Sequence, residues 1–368
     1  MSPAIERSPE GTVILNYSDL ISAESVDLRA HIELAFGSGP DCLGILLVRG
    51  VPGFPEKRDS LLRYGSVIPK LPTDVLKTIE HEASKYSFGW SHGKEVMNGK
   101  PDVAKGSYYN NPTVDVPQVS KEDLEKYPEY CHPNIWPTEA ECPGLSAAFK
   151  DLGGLIVEVG SLVARKCDQY VVSKELKDYP EHFLEDVVKG SVASKARLLH
   201  YFPLDKNLAT EQAGQENAND IASWCGWHLD HSCITGLTSA MFADETTAAV
   251  IADPRDPAAL VETKCPDPEA GLYIKSRSGE IHKVSIPRDM IAFQTGEALA
   301  VSSDGFLRAT PHCVRGISPS FVDKDSSVGS SIARNTFAVF MQPNIHHELR
   351  PGYTFADFTK EVLARHYK

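Results

Sequence analysis

Apolar and polar residues alternate in short runs through the second half of the chain, whereas the first half carries one long stretch with a helical repeat. Between Leu145 and Asp168, apolar residues recur at three- and four-residue spacing, with Leu152, Leu155, Ile156, Val159, Leu162 and Val163 on one broad face. That pattern predicts a scaffold helix lying against a sheet. Gly153-Gly154 within it lower helix propensity but allow close packing. The later segments have a period of two. Gly226 to Thr238 reads as a half-buried strand, and Gly271–Lys275 and Gly279–Val284 read as two strands joined by a Ser-Gly turn. Ile291–Leu299 is expected to form another strand, leading to Ser303-Asp304-Gly305 and then Thr310-Pro311-His312. A polar loop from Ser318 to Ser331 precedes a last apolar strand, Ala333–Phe340. Short strands with frequent turn residues argue for a double-sheet sandwich or jelly roll. No internal repeat or low-complexity segment interrupts this order.

Chemistry enters at His228-Leu229-Asp230. On an extended strand these two polar side chains project the same way and can grip one ion. His312, 82 residues beyond Asp230, completes a set of two histidines and one carboxylate. On one face of an octahedral metal such a triad leaves three positions open, the usual seat of non-haem Fe(II) oxygen chemistry. His-x-Asp by itself occurs by chance in long chains, so the strand context carries the reading. Arg334 and Thr336 are two residues apart and share a face of the last strand. A guanidinium holds a carboxylate with two parallel hydrogen bonds, and a neighbouring hydroxyl adds a third. That suits the distal carboxylate of 2-oxoglutarate. Arg315 is an alternative anchor, but its odd spacing from His312 turns it to the opposite face of a strand, which favours Arg334.

The His-x-Asp dipeptide, the segment Gly296-Glu297-Ala298-Leu299 read as a strand, the His312 segment and the Arg334-x-Thr336 strand occur in this order. Together they resemble the 2-oxoglutarate- and Fe(II)-dependent dioxygenases of the isopenicillin N synthase-like (clavaminate synthase-like) superfamily. Upstream, Gly44–Gly53 is similar to that family's N-terminal strand, and Asn134-Ile135-Trp136-Pro137 with Pro143-Gly144-Leu145 to its entry into the long helix. Thr354-Phe355-Ala356-Asp357 is similar to the start of its C-terminal helix and also fits a capping pattern independently. The resemblance implies a mainly β fold with flanking helices. Its parts are an N-terminal strand and helical scaffold region at 1–190, a double-stranded β-helix (jelly-roll) core at 191–345 and a C-terminal helix at 346–368.

It further implies Fe(II) on His228, Asp230 and His312, with 2-oxoglutarate and O2 as cosubstrates and Arg334 and Thr336 holding the far carboxylate. The expected reaction is oxidation of a small organic molecule, a specialised metabolite, with hydroxylation as the default and desaturation or cyclisation as variants. The chain also departs from the family pattern. Cys313 stands where many members have arginine, and the stretch Ser318 to Ser331 lengthens the path to Arg334. In the strand Arg197–Pro203, His200 and Phe202 fall where the family carries an asparagine and a tyrosine near the cosubstrate, and Tyr201 is the substitute contact. Phe88–Glu95 and Lys105–Pro112 are rich in glycine, aromatics and amides and correspond to the mouth of the substrate pocket. Tyr108 and Asn110 are the candidate substrate contacts there, although turn formation and packing explain the same composition. Three other readings compete: a 2-oxoglutarate-independent iron oxidase of the same fold, a zinc hydrolase on the same triad, and a non-catalytic metal-binding homologue.

Composition narrows the partners. With 42% hydrophobic and 24% charged residues, the chain is ordinary globular material. Fifty acidic against 37 basic residues give a formal charge of −13, which opposes binding to a phosphate backbone. Eight cysteines without a CxxC pair fit reduced, mostly buried thiols in the cytoplasm. The polar N-terminus lacks a signal-peptide pattern, and no apolar run has membrane-spanning length. The expectation is a cytoplasmic enzyme with a small-molecule substrate, no nucleic acid and no membrane partner.

Overall fold

In the computed structural model, residues 2–22, 26–94, 96–97, 100–203, 225–318, 321 and 331–366 are described. The principal strands are β1 (Glu6–Arg7), β2 (Val13–Asn16), β3 (Ile45–Arg49), β4 (Gly89–His92), β5 (Lys105–Asn110), β6 (Lys195–Tyr201) and β7 (Cys225–His228), followed by β8 (Ile234–Leu237), β9 (Met241–Asp244), β10 (Gly271–Lys275), β11 (Ile281–Val284), β12 (Met290–Thr295), β13 (His312–Arg315) and β14 (Ile332–Met341). The principal helices are α1 (Arg29–Phe36), α2 (Phe54–Val67), α3 (Leu145–Val172), α4 (Phe183–Gly190), α5 (Glu297–Ser302) and α6 (Phe355–His366).

Two sheets face each other. The larger runs β1-β2-β3-β12-β8-β14-β6-β5-β4, with β9 also paired to β14, and the smaller runs β11-β10-β13-β7. Only β2 and β3 pair in parallel; the other pairings between these strands are antiparallel. This is the jelly-roll core expected from the short, turn-punctuated strands. The segment before residue 190 supplies strands at both ends of the large sheet, so it shares one sheet with 191–345. β3 is apolar from Ile45 to Val48, as a strand covered on both faces requires. Leu46 and Val48 join the helix-side core while Ile45 and Leu47 pack with Ile274 and Val284 of the small sheet.

The outer face of the large sheet is covered by α3, which extends four residues past the predicted end. Leu152, Ile156, Val159 and Val163 are fully buried, whereas Leu155 and Leu162 are only partly so. Each fully buried side chain of this size contributes about 1.5–3 kcal/mol. Helix and sheet approach closely where side chains are smallest. A Cβ on Gly236 of β8 would stand 2.3 Å from Ile156 Cγ2, and one on Gly160 would stand 2.5 Å from Met341 Sδ. At the C-terminal helix the predicted cap forms: Thr354 Oγ1 donates to Asp357 Oδ2 at 2.6 Å, and Asp357 N donates back to Thr354 Oγ1 at 3.2 Å.

The expected strand Ile291–Leu299 forms only as far as Thr295, and its end is a helix. β12 stops at Thr295, and Glu297–Ser302 forms α5. A Cβ on Gly296 would lie 2.1 Å from Ser232 O, so the chain crosses tightly over the loop after Asp230. There Gly296 N donates to Cys233 O and Glu297 N to Asp230 O, which takes the backbone out of the ladder. The expected polar loop Ser318 to Ser331 falls almost entirely outside the described residues.

Candidate active site

His228 is the last residue of β7, and Asp230 lies just beyond the strand end rather than on it. The two still converge, because the chain turns there to enter β8. His312 opens β13 and sits directly opposite His228 in the ladder, with the two imidazole centroids 4.2 Å apart. Asp230 Oδ1 is 3.8 Å from His228 Nε2 and 3.6 Å from His312 Nε2. These three atoms lie within 4.8 Å of one another, the one such grouping of three or more potential ligands among the described residues.

The neighbours of each ligand decide which atom it presents. His228 Nδ1 is 2.7 Å from Gly226 O, and His312 Nδ1 is 3.0 Å from Thr310 O. A carbonyl beside Nδ1 holds the proton there and leaves the Nε2 lone pair for a metal. Thr235 Oγ1, on β8, donates to Asp230 Oδ2 at 2.7 Å, which leaves Oδ1 to face the two imidazoles. Asp230 and His312 are buried; the His228 side chain is 36% exposed and forms the open side. Burial pulls the His228 pKa down, but the adjacent Cys225 and Asp230 outweigh it and push it up to about 9. Burial lowers that of His312, with Asp230 opposing. Two imidazoles and one carboxylate oxygen, oriented by outer partners, are a donor set that fits Fe(II).

A cavity between the sheets runs from this triad to Arg334, Thr336 and Tyr201, all of which line it. Arg334 and Thr336 face inward from β14 on alternate residues, as the period-two reading requires. Tyr201 is paired with Arg334 across the β6–β14 ladder, and the guanidinium lies over its ring at 4.9 Å from the centroid. His200 faces the other way, where it is buried with Nδ1 2.8 Å from Asn335 Oδ1. Of the three positions considered in this segment, Tyr201 lines the cavity and His200 and Phe202 do not. Arg315 is opposite Gly271 at the end of β13 and does not line the cavity.

Tyr108 and Asn110 are not brought to the cavity, and the structure corrects their expected placement. Both are fully buried. Tyr108 Oη donates to Ile135 O at 2.5 Å, Asn110 Nδ2 donates to the same oxygen at 3.0 Å, and Ile135 N donates to Asn110 Oδ1 at 3.0 Å. They anchor the segment leading to α3. The residues that sequence reasoning passed over are Thr235 and Arg197. Thr235 bears on Asp230 through a turn that no spacing rule describes. Arg197 shares a strand face with Leu199 and Tyr201, a signal that was available once Tyr201 was placed inward.

No protein-family model matches the chain, and no curated protein matches it in sequence. Solved structures do match. A putative 2OG-Fe(II) oxygenase family protein from Caulobacter crescentus superposes with a TM-score of 0.65 at 16% identity, covering 98% of this chain and 100% of that one. A full-length Neurospora crassa protein crystallised in complex with alpha-KG and thymine gives a TM-score of 0.62 at 17% identity, covering 98% and 100%. The chain has the fold of the 2-oxoglutarate–Fe(II) oxygenases. A third structure, JOX2 in complex with 2OG, Fe and JA, follows at a TM-score of 0.57 and 14% identity, covering 98% of this chain and 86% of its own. In this oxygenase fold the triad sits at the end of the small sheet and the Arg-x-Thr pair on the large one. None of the eight cysteines is in a disulfide, with Cys233 and Cys313 buried beside the triad and Cys225 lining the cavity. No described helix is long and apolar enough to cross a membrane.

Proposed function

We propose that this chain is an Fe(II)- and 2-oxoglutarate-dependent dioxygenase that oxidises a small organic molecule, by hydroxylation unless substrate placement directs desaturation or cyclisation. One observation carries the reading: a His-Asp-His triad and an inward arginine–threonine pair share one cavity. His228 Nε2, Asp230 Oδ1 and His312 Nε2 would hold the iron. Bound there with 2-oxoglutarate and O2, the metal supplies the oxidising power that no amino-acid side chain has. The protein's share is placement. Arg334 and Thr336 grip the distal carboxylate with charge-assisted hydrogen bonds, and the Tyr201 ring keeps the guanidinium flat against β6. Leu199, Leu237, Val314 and Phe340 along the wall keep water from the reacting atoms.

The neighbours crystallised with alpha-KG, or with 2OG and Fe, support the cofactor assignment. The thymine and JA in those complexes support a small-molecule substrate, and we place it among specialised metabolites. Cysteines held outside any disulfide support a reducing compartment such as the cytoplasm. Anaerobic addition of Fe(II) and then 2-oxoglutarate to the metal-free protein should produce the weak visible charge-transfer band of a chelated keto acid. Asp230→Ala should abolish it. Iron binding without the band would move the 2-oxoglutarate-independent oxidase ahead, and absence of iron binding would sink the assignment.

A further inference from the structure

A buried amide stands beside the triad with both of its ends unmatched. Gln294, on β12, is 1% exposed, and among the described residues neither its Nε2 nor its Oε1 has a hydrogen-bond partner. Its direction follows from its strand. Ile291 and Phe293 join the helix-side core, whereas Met290 and Ala292 pack with Ile45, Leu47 and Ile274 between the sheets. Gln294, two residues past Ala292, therefore points between the sheets as well. In the ladder it stands opposite Thr235 on one side and Ile45 on the other. Opposed side chains start about 4.5–5.5 Å apart, within the reach of a glutamine, and Thr235 is the polar one of the two. The chain then runs on over the ligand loop itself, where Glu297 N donates to Asp230 O.

A buried amide left unmatched at both ends destabilises a fold, so its presence here calls for a use. Thr235 supplies one. Its hydroxyl has one proton and two lone pairs. The proton goes to Asp230 Oδ2 at 2.7 Å, while Ser232 Oγ lies 2.9 Å away and either of these two hydroxyls can donate to the other. A proton turned to Ser232 would leave Asp230 Oδ2 without this donor. With Ser232 on one lone pair and an amide N–H on the second, the Thr235 proton is committed to Asp230.

We propose that Gln294 is a positioning residue of the metal centre: its amide N–H donates to Thr235 Oγ1 when the triad holds an ion, committing that hydroxyl to Asp230 Oδ2 and fixing Oδ1 as the oxygen presented to the metal. This rests on the reading of His228, Asp230 and His312 as the iron ligands and extends it one residue outward.

The test is anaerobic titration of the full chain with Co(II), followed by its visible d–d bands, beside urea unfolding of the metal-free protein. Gln294→Met and Gln294→Leu remove the amide and keep a side chain of similar bulk. Each should weaken Co(II) binding about tenfold, the low end of what an outer partner of a ligand is worth. The metal-free urea midpoint should stay level or rise, because the amide they replace makes no bond in that fold. In the Thr235→Val background Gln294→Met should change Co(II) affinity by less than about twofold, since the amide then has no hydroxyl to act on. Unchanged Co(II) affinity in both single variants, or the tenfold loss repeated in full on top of Thr235→Val, would overturn the proposal. A urea midpoint lowered in both variants would overturn it too, since the amide would then be holding the fold together without a metal. A wild-type chain that takes up no Co(II) would refute the metal reading itself, before any variant is compared.

Discussion

Thr235 is the residue by which the metal ligands can be tested without touching a ligand. Its hydroxyl donates to Asp230 Oδ2 at 2.7 Å and lies 2.9 Å from Ser232 Oγ, all in a fully buried setting. Thr235→Val keeps the shape and removes the donor. A hydrogen bond to a charged group is worth about 1.5–3 kcal/mol net, so the metal-free protein should lose roughly that much stability. The carboxylate is also freed to rotate, and Oδ1 no longer has to face the two imidazoles. Loss of an outer partner of this kind weakens metal affinity about 10- to 100-fold, which corresponds to about 1.4–2.8 kcal/mol. Anaerobic titration with Co(II), followed by its visible d–d bands, would measure the affinity, and urea unfolding of the metal-free protein the stability. Thr238→Val is the control, since Thr238 lies just past the same strand but bonds to Phe337. It should lose stability with unchanged metal affinity. An unaltered cobalt affinity in Thr235→Val would refute the argument that this hydroxyl selects the presented oxygen.

Three further outcomes follow from the geometry. Arg334→Leu should weaken 2-oxoglutarate binding by at least about 30-fold while leaving iron binding in place, because truncating a buried charged contact costs about 2–5 kcal/mol; calorimetry with retained iron stoichiometry decides this. Asn110→Ala should cost roughly 2–4 kcal/mol of stability by leaving Ile135 N without its acceptor and removing one of the two donors to Ile135 O, with no change in cosubstrate affinity, and a selective affinity loss would restore Asn110 to the pocket. Asp168 caps α4 by accepting from Leu184 N and Glu185 N, yet burial pushes its carboxyl up to about 6 against those hydrogen bonds. Because the folded value lies above the unfolded one, its contribution is full below about pH 4 and is lost as pH rises through 6, up to about 3 kcal/mol. Asp168→Asn should remove that component, so wild-type and variant urea midpoints that run parallel from pH 4 to 7 would contradict it.

The Arg-x-Thr pair was legible because a strand's period of two places alternate residues on one face without further information. The same rule sorted Arg315 from Arg334. It failed at Gly296–Leu299, where apolar residues suit a strand but contact with Ser232 forces a turn, a constraint set by residues distant in sequence. At Asp230 it reached the right neighbour by the wrong route, since the turn after β7 rather than the strand presents that carboxylate. Tyr108 and Asn110 show the limit of composition: amides and aromatics mark a binding surface and a buried backbone anchor equally well, and only the position of Ile135 separates the two. Thr235 acts through a partner outside its own strand, so its role depended on which strands pair.

The two halves of the site belong to different sheets: the triad hangs on the small one, and Arg334, Thr336, Tyr201 and Arg197 stand on the large one. Each half can therefore diverge under its own selection. Substitutions along β6 can exchange one substrate for another while β7 and β13 keep the same ion, and changes around β13 can retune the ion while the carboxylate grip persists. Thr235, rooted in the large sheet and bonded to Asp230, is the stitch that keeps such independent drift from pulling the halves out of alignment.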